Sequence, residues 1–503
     1  MPTQTETPTR SSADWLWRVG VVASGVVGLW MRLVVLHSPV GALNSDEATT
    51  GLMAIDILHG RFPVVLGGQM YTSALETYPL AVITKLFGTH PFVIKLLFVA
   101  IWSGASVLVY PAARVAASVA AARLAGLLCW LAPGAMLVLS TRAYLGYAAG
   151  LLAVGLSLWA TGAALARPAA DRRSAALAGA AAGLAFYIHP MFLCVLGPHI
   201  AVACWYFRRQ ARQWWVPAAV AAVAVNLPWL VWNAANGFHS NYGDSPAKLG
   251  YLQRLKGFGT GLMPRALGLI DTNGAWVLPH WPSLAIYAAV VAVAAVGWVR
   301  LARLGGRPGL AMAVAAVAVW PLMAVLSNLE YVADGRYAVI PFAPLVVCVG
   351  AGVDGLLIDR LRQRSGRWVP AALLAVAALW VAALVLPFLS RPAFDRVEDP
   401  NGPIVALVHR LDQRGITKVI GSYWLVQPVS LWSGGRIAGH ATWPLPVRSE
   451  RLAEIVDRAP ADEVAHLFEI GQENLGSLPL PIEAYDREEI AGIALFIPKA
   501  TGG

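Results

Sequence analysis

Residues 44–88, NSDEATTGLMAIDILHGRFPVVLGGQMYTSALETYPLAVITKLFG, form the longest interruption of hydrophobic sequence in the first half of the chain. Asn44 or Ser45 suits a helix cap, and Asn44 and Glu47 have the spacing of a reciprocal capping box. Adjacent carboxylates, Asp46 and Glu47, fall in the first turn of that helix. It is expected to run to about His59, where Gly60 supplies a stop. Leu52, Met53, Ile55, Ile57 and Leu58 make it amphipathic, so it is expected to lie along a membrane surface. Gly67–Gly68 mark a turn, and a second apolar helix carrying Glu76 and Lys85 is expected over about 73–87. Neighbouring helical residues point about 100° apart, so only one of the two carboxylates can face a given ligand.

The sequence around this stretch is that of a membrane protein. Of 503 residues, 57% are hydrophobic and 13% charged, with a mean hydropathy of +0.60. A soluble chain would carry about 25% charged residues. The net charge of +10 is therefore read first as a topology signal rather than as a nucleic-acid footprint. Cys129, Cys194, Cys204 and Cys348 all fall in apolar segments without metal spacing.

Spanning segments are expected near 15–36, 91–111, 117–139, 144–166, 174–190, 191–207, 215–233, 283–304, 310–327, 337–358 and 368–389. That is about eleven helices. With a cytoplasmic N-terminus, the arginine clusters at 114–123, 167–173, 208–212, 300–307 and 360–367 all fall on one side, as the positive-inside rule requires. This alternation puts loop 37–90, the turns at Arg142 and His189, the 235–282 loop, the 328–336 turn and everything after about 390 outside the cytoplasm. The division of the chain is then a disordered cytoplasmic tail (1–14), a transmembrane module (15–390) and a soluble extracytoplasmic domain (391–503). In that last part charge density rises, and LVHRLDQRGI and ERLAEIVDRA read as helices. TKVIGSYW, RIAGHA, EVAHLFEI and IAGIALFIP read as strands, so a small α/β domain is expected. The protein is placed in a plasma (inner) membrane as a multi-pass chain.

Several residues invite a functional reading. An acid beside the bilayer can take a proton from a hydroxyl, although acidic residues also favour helix N-termini for electrostatic reasons alone. Glu76 on an interfacial helix is costly to bury and is a candidate for that reason. Arg336 opens a late helix, and its guanidinium matches phosphate. It also suits an interfacial anchor or a partner for Asp334 or Glu330. His189 fits either a base or a satisfied histidine at a helix break. In the 235–282 loop His239, Asp244, Lys248, Arg254, Lys256, Arg265, Asp271 and His280 have no diagnostic spacing. The loop is read as a lid or acceptor-binding element. No Walker or HExxH motif occurs, nor a Rossmann fingerprint in its strand–loop–helix setting, so a nucleotide-sugar or ATP site has no visible home.

The order of these features carries a resemblance. A first helix, Asp-Glu, a helix ending in HGRFP, GGQMY and an apolar helix ending in LFG resemble the N-terminal signature of the GT-C glycosyltransferases. The likeness is greatest to the protein O-mannosyltransferase-like and lipid A aminoarabinose transferase group. ADGRYAVIPFAPLVV and KVIGSYWLVQPVSLWSGGRI are similar to later segments of such chains. The resemblance implies a GT-C-like fold and transfer of a sugar from a polyprenyl-phosphate donor to an acceptor hydroxyl, with inversion, outside the cytoplasm. The acceptor is a glycan, lipid or protein. It implies a catalytic role for Asp46, with Glu47 beside it. Arg336, Arg142 and Lys85 become candidates for the donor phosphate, and Tyr71, Glu76, Tyr337 and His189 for substrate contact. One departure concerns metal. The aminoarabinose transferases bring a second acid to a later helix start, where STRAYLGY (140–147) has none. No metal ligand is therefore assigned, and a divalent metal stays an alternative. The competing class is a non-enzymatic lipid-linked sugar flippase or transporter. Such proteins usually show paired halves and midplane charges, and this chain shows no repeat.

Overall fold

The computed structural model describes residues 12–238, 249–326, 335–443, 445 and 447–499. The expected tail falls almost wholly outside these residues, as do His239, Asp244, Lys248, Glu330 and Asp334. Among the described residues eight helices are long and apolar enough to cross a membrane. They are Trp15–Leu36, Pro91–Arg114, Ala148–Leu165, Trp215–Ala235, His280–Leu304, Gly306–Val325, Arg336–Arg364 and Gly366–Leu389.

The difference from eleven has a local cause in each place. The segment at 117–139 breaks at Pro133 into helices Val119–Trp130 and Gly134–Leu139. Gly134 has φ +51°, and a Cβ there would lie 2.2 Å from Gly268 N and 2.3 Å from Arg265 O. Two backbones meet where a side chain has no room. The stretch 174–207 divides at His189–Pro190 into Arg172–Ile188 and a shorter apolar piece, Pro190–Tyr206. Helix Arg172–Ile188 packs closely on Trp215–Ala235, where a Cβ on Gly179 would lie 2.0 Å from Ala218 O. Small residues permit such approach, which supplies dispersion contact where lipid offers no hydrophobic drive. Asn226 Nδ2 adds an interhelical hydrogen bond to Gly183 O at 2.9 Å.

Between the first two long helices, α1 (Ser12–Leu36) and α4 (Pro91–Arg114), lies the opening stretch. It folds as α2 (Ser45–Leu58), a hairpin of β1 (Val65–Leu66) and β2 (Gln69–Ser73), and α3 (Thr77–Phe87). Gly68 turns the hairpin at φ +69° and Gly60 follows α2 at φ +83°. The expected helix over 73–87 is thus shorter, and part of its span is strand. Nor does α2 lie on a surface. Ser45 and Glu47 to Ile55 are all buried, because α3 covers one side of the helix and the C-terminal domain another.

That domain is built on a five-stranded sheet. Its strands are β3 (Lys418–Ser422), β4 (Ala438–Trp443), β5 (Ala465–Glu469), β6 (Tyr485–Ile490) and β7 (Ile493–Pro498). Their order is β4-β3-β5-β7-β6. β3 is parallel to both neighbours, and β7 is antiparallel to both of its own. Helix Tyr423–Trp432 crosses from β3 to β4, and its Leu431 meets Gly51 of α2, where a Cβ would come within 2.7 Å.

Candidate functional site

The capping box at the start of α2 determines where its two acids go. Asn44 accepts the N–H of Glu47 at 3.0 Å, and the Asn44 N–H donates back to Glu47 Oε2 at 3.3 Å. Glu47 is therefore turned inward. Its two oxygens each accept from Lys95 Nζ at 2.7 Å, Oε2 also accepts from Arg142 Nη1 at 2.7 Å, and Oε1 from Ala143 N–H at 3.0 Å. Burial by itself would raise the Glu47 pKa, but the Lys95 and Arg142 charges and these hydrogen bonds outweigh it and hold the pKa below the usual range. Glu47 is fully buried and ties α2 to α4 and to the 140–147 turn.

Asp46 points the other way, into a cleft. Its side chain is 29% exposed and its Oδ2 lies 3.7 Å from Arg336 Nη1, itself 26% exposed. Tyr423 OH donates to Asp46 Oδ1 at 2.8 Å and lies 3.1 Å from Thr49 Oγ1. The cleft holds a cavity of about 50 Å³. It is lined by Asp46 and Thr50 of α2, Gln69, Tyr71 and Thr72 of β2, Tyr144 and Tyr147 of the turn, His189, Arg336, Tyr337 and Arg448. The Arg336 guanidinium lies 5.8, 5.7 and 5.4 Å from the ring centres of Tyr144, Tyr147 and Tyr337. An aromatic collar of this kind steadies a cation through the ring faces. Asn44 Nδ2 donates to Tyr144 OH at 2.5 Å, and Thr50 Oγ1 to Ala143 O at 2.8 Å, so the cap of α2 also fixes the collar.

Two titratable groups support the wall. His189 Nδ1 accepts the Met191 N–H at 3.3 Å, and its ring is 5.4 Å from that of Tyr71. Burial, helped by the Arg336 charge, pushes its pKa down to about 3, so the ring is neutral at pH 7. Glu76 stands at the start of α3 behind the cleft without capping that helix, and its Oε2 accepts the Gly146 N–H at 2.7 Å. Burial pushes its pKa up to about 7 against the opposing backbone hydrogen bonds.

The candidates from sequence thus separate. Asp46, Tyr71, His189, Arg336 and Tyr337 line one cleft. Glu47 and Arg142 form a buried pair beneath it, in which Arg142 also donates to Ala42 O at 2.8 Å and to Val40 O. Glu76 stands behind the wall. Lys85 is exposed in the last turn of α3, off the cleft. Sequence reading missed Lys95, Tyr144, Tyr147, Tyr423 and Arg448. A signal existed for Lys95 alone, since a lysine five residues into an apolar span demands a partner. Among the described residues no three of His, Cys, Asp or Glu gather as a metal site.

No family model matches the chain, and no curated protein matches it. Solved structures do. ArnT from Cupriavidus metallidurans bound to undecaprenyl phosphate is similar over 98% of this chain and 99% of its own, with a TM-score of 0.65 and 13% identity. Its apo state covers 95% and 98%, with a TM-score of 0.64 and 12% identity. Archaeal oligosaccharyltransferase AglB from Archaeoglobus fulgidus, in complex with an inhibitory peptide and a dolichol-phosphate, covers 97% of this chain and 74% of its own. Its TM-score is 0.53 at 15% identity. At such identities the likeness is one of architecture. The chain is a polytopic helical membrane protein with a β-rich C-terminal domain, and its fold is GT-C-like.

Proposed function

We propose that the protein is a glycosyltransferase that moves a sugar from a polyprenyl-phosphate donor to an acceptor hydroxyl. The observation that carries this reading is the pairing of an accessible carboxylate, Asp46, with an accessible guanidinium, Arg336, in one cleft. The fold is shared with a protein solved with undecaprenyl phosphate. In the reaction Asp46 takes the acceptor proton as the acceptor oxygen bonds to the anomeric carbon. The bond from that carbon to the phosphate oxygen breaks on the opposite face, so configuration inverts. Polyprenyl phosphate leaves with the electron pair, and Arg336 stabilises the growing charge. A positioned base contributes about 10²–10⁴-fold in rate. The cleft would open on the extracytoplasmic face of the plasma (inner) membrane, with the N-terminus in the cytoplasm and residues 391–503 outside. What supports that orientation is the arginine alternation.

Asp46→Asn tests the base. The purified variant is expected to bind donor as tightly as the parent protein and to lose at least about 100-fold in transfer rate. Full activity in that variant would end the assignment.

A further inference from the structure

The C-terminal domain contributes a second cation to the Asp46 cleft. Arg448 precedes helix Glu450–Asp457, is 7% exposed, and lines the cleft with Asp46, Gln69 and Tyr71. Among the described residues its guanidinium makes no hydrogen bond or ion pair, and its Nε is buried without a partner. Beside it, among the described residues, lie the Tyr423 ring, 5.5 Å from the guanidinium, and Tyr71. Its neighbours behave differently. Arg451 Nε donates to Asp56 Oδ1 at 2.5 Å, and Arg61 faces Glu454 at 3.8 Å. A guanidinium this enclosed and without an anion among the described residues is costly, and an anionic ligand in the cleft would offset that cost.

Arg448 also stands at a doorway. A second pocket of about 280 Å³ runs between the β1–β2 hairpin and the C-terminal domain, and it shares Leu66 and Arg448 with the Asp46 cleft. Gly67 lies against the Arg448 carbonyl, where a Cβ would come within 2.5 Å, so the hairpin holds this residue in position. A third pocket shares Tyr144 and Arg336 with the cleft and continues past Arg142, Arg265 and Asp271 to the apolar Val138, Leu139 and Phe388. The cleft therefore has two approaches, each with an arginine at its mouth. The approach past Val138, Leu139 and Phe388 is the more apolar and suits a lipid-borne phosphate; the one at Arg448 is the more polar and suits a polar acceptor.

We infer that Arg448 is an anion subsite for the acceptor, which reaches Asp46 between the hairpin and the C-terminal domain carrying a phosphate or carboxylate. This rests on the proposed transferase reading. Arg448 holds the anionic group while the acceptor hydroxyl faces Asp46.

Binding of three alkyl glycosides to the full-length protein in nanodiscs tests it: octyl glucoside, octyl glucuronide and octyl glucoside 6-phosphate. Wild-type protein is expected to bind at least one of the two anionic glycosides tenfold or more tightly than octyl glucoside. Arg448→Gln is expected to lose that preference, and Arg448→Lys to keep part of it. The dissociation constant for polyprenyl phosphate should stay within twofold in both. Which glycoside is preferred tells carboxylate from phosphate. The inference is overturned if wild-type protein shows no preference or if Arg448→Gln retains it. It is also overturned if polyprenyl phosphate binding falls in parallel, since Arg448 would then serve the donor. Failure of the transferase reading looks different: no polyprenyl phosphate binds to the wild-type protein, whatever the glycosides do.

Discussion

Tyr423 OH donates to Asp46 Oδ1 at 2.8 Å across 377 residues of chain. A residue of the C-terminal domain thereby holds the acid that, among the described residues, faces the cleft. Removing a hydrogen bond to a charged group costs about 1.5–3 kcal/mol. Tyr423→Phe is expected to lower the transfer rate by about tenfold or more while polyprenyl phosphate binding is retained. Single-turnover kinetics beside a binding isotherm check the split.

Glu47 answers to a different test. It is enclosed with Lys95 at 2% exposure and with Arg142 at 14%. Taking away one member strands the buried charges, which costs about 3–5 kcal/mol. Glu47→Gln should melt well below wild type in the same detergent, whereas Asp46→Asn should melt with it. Adding Lys95→Gln to Glu47→Gln should recover part of the loss. A normal melting point for Glu47→Gln would show that the pair does not hold α2.

Glu76 gives stability a pH dependence. Its pKa is raised from 4.5 to about 7, so between these values the folded state holds a proton that the unfolded state has released. Stability from this group is full below pH 4.5 and falls as pH rises through 7. Glu76→Gln keeps an acceptor for the Gly146 N–H and carries no charge. Relative to wild type, the variant should gain melting temperature from pH 5 to about pH 7 and level off above it. Parallel melting curves across that range would refute the buried acid.

Arg336 is expected to act on the donor. Arg336→Gln should weaken polyprenyl phosphate binding at least tenfold, about 1.4 kcal/mol. Arg336→Lys should restore only part of it, because a lysine cannot present the planar two-pronged donor. Titrations at fixed ionic strength read both, and unchanged affinity in Arg336→Gln would remove Arg336 from the donor site.

Much of this arrangement was legible in residues 44–88. The capping box, Gly60 and the turn at Gly67–Gly68 are local signals, and local signals survive folding. The hairpin was not legible, since Gln69–Ser73 is too short to show alternation. Tyr423 and Trp424, which open helix Tyr423–Trp432, read as the end of the strand TKVIGSYW because aromatic side chains favour strands. The apolar period of α2 announced one buried face. It carried nothing about Thr49 and Thr50, which are buried by polar contacts with Tyr423 and Ala143. The inward turn of Glu47 depends on Lys95 and Arg142, and Arg448 enters the cleft from another domain. Pairings at such separations leave no periodicity to read.

α2 is fastened to the C-terminal domain at both ends, at Asp46 by Tyr423 and at Asp56 by Arg451, with Gly51 fitted under Leu431 between them. The C-terminal domain is consequently no detachable accessory. A graft that exchanges it with that of a relative must transplant both halves of each fastening, 46 with 423 and 56 with 451. A chain cut after Leu389 would keep its membrane helices yet leave the face of α2 that seats Leu431 open to water.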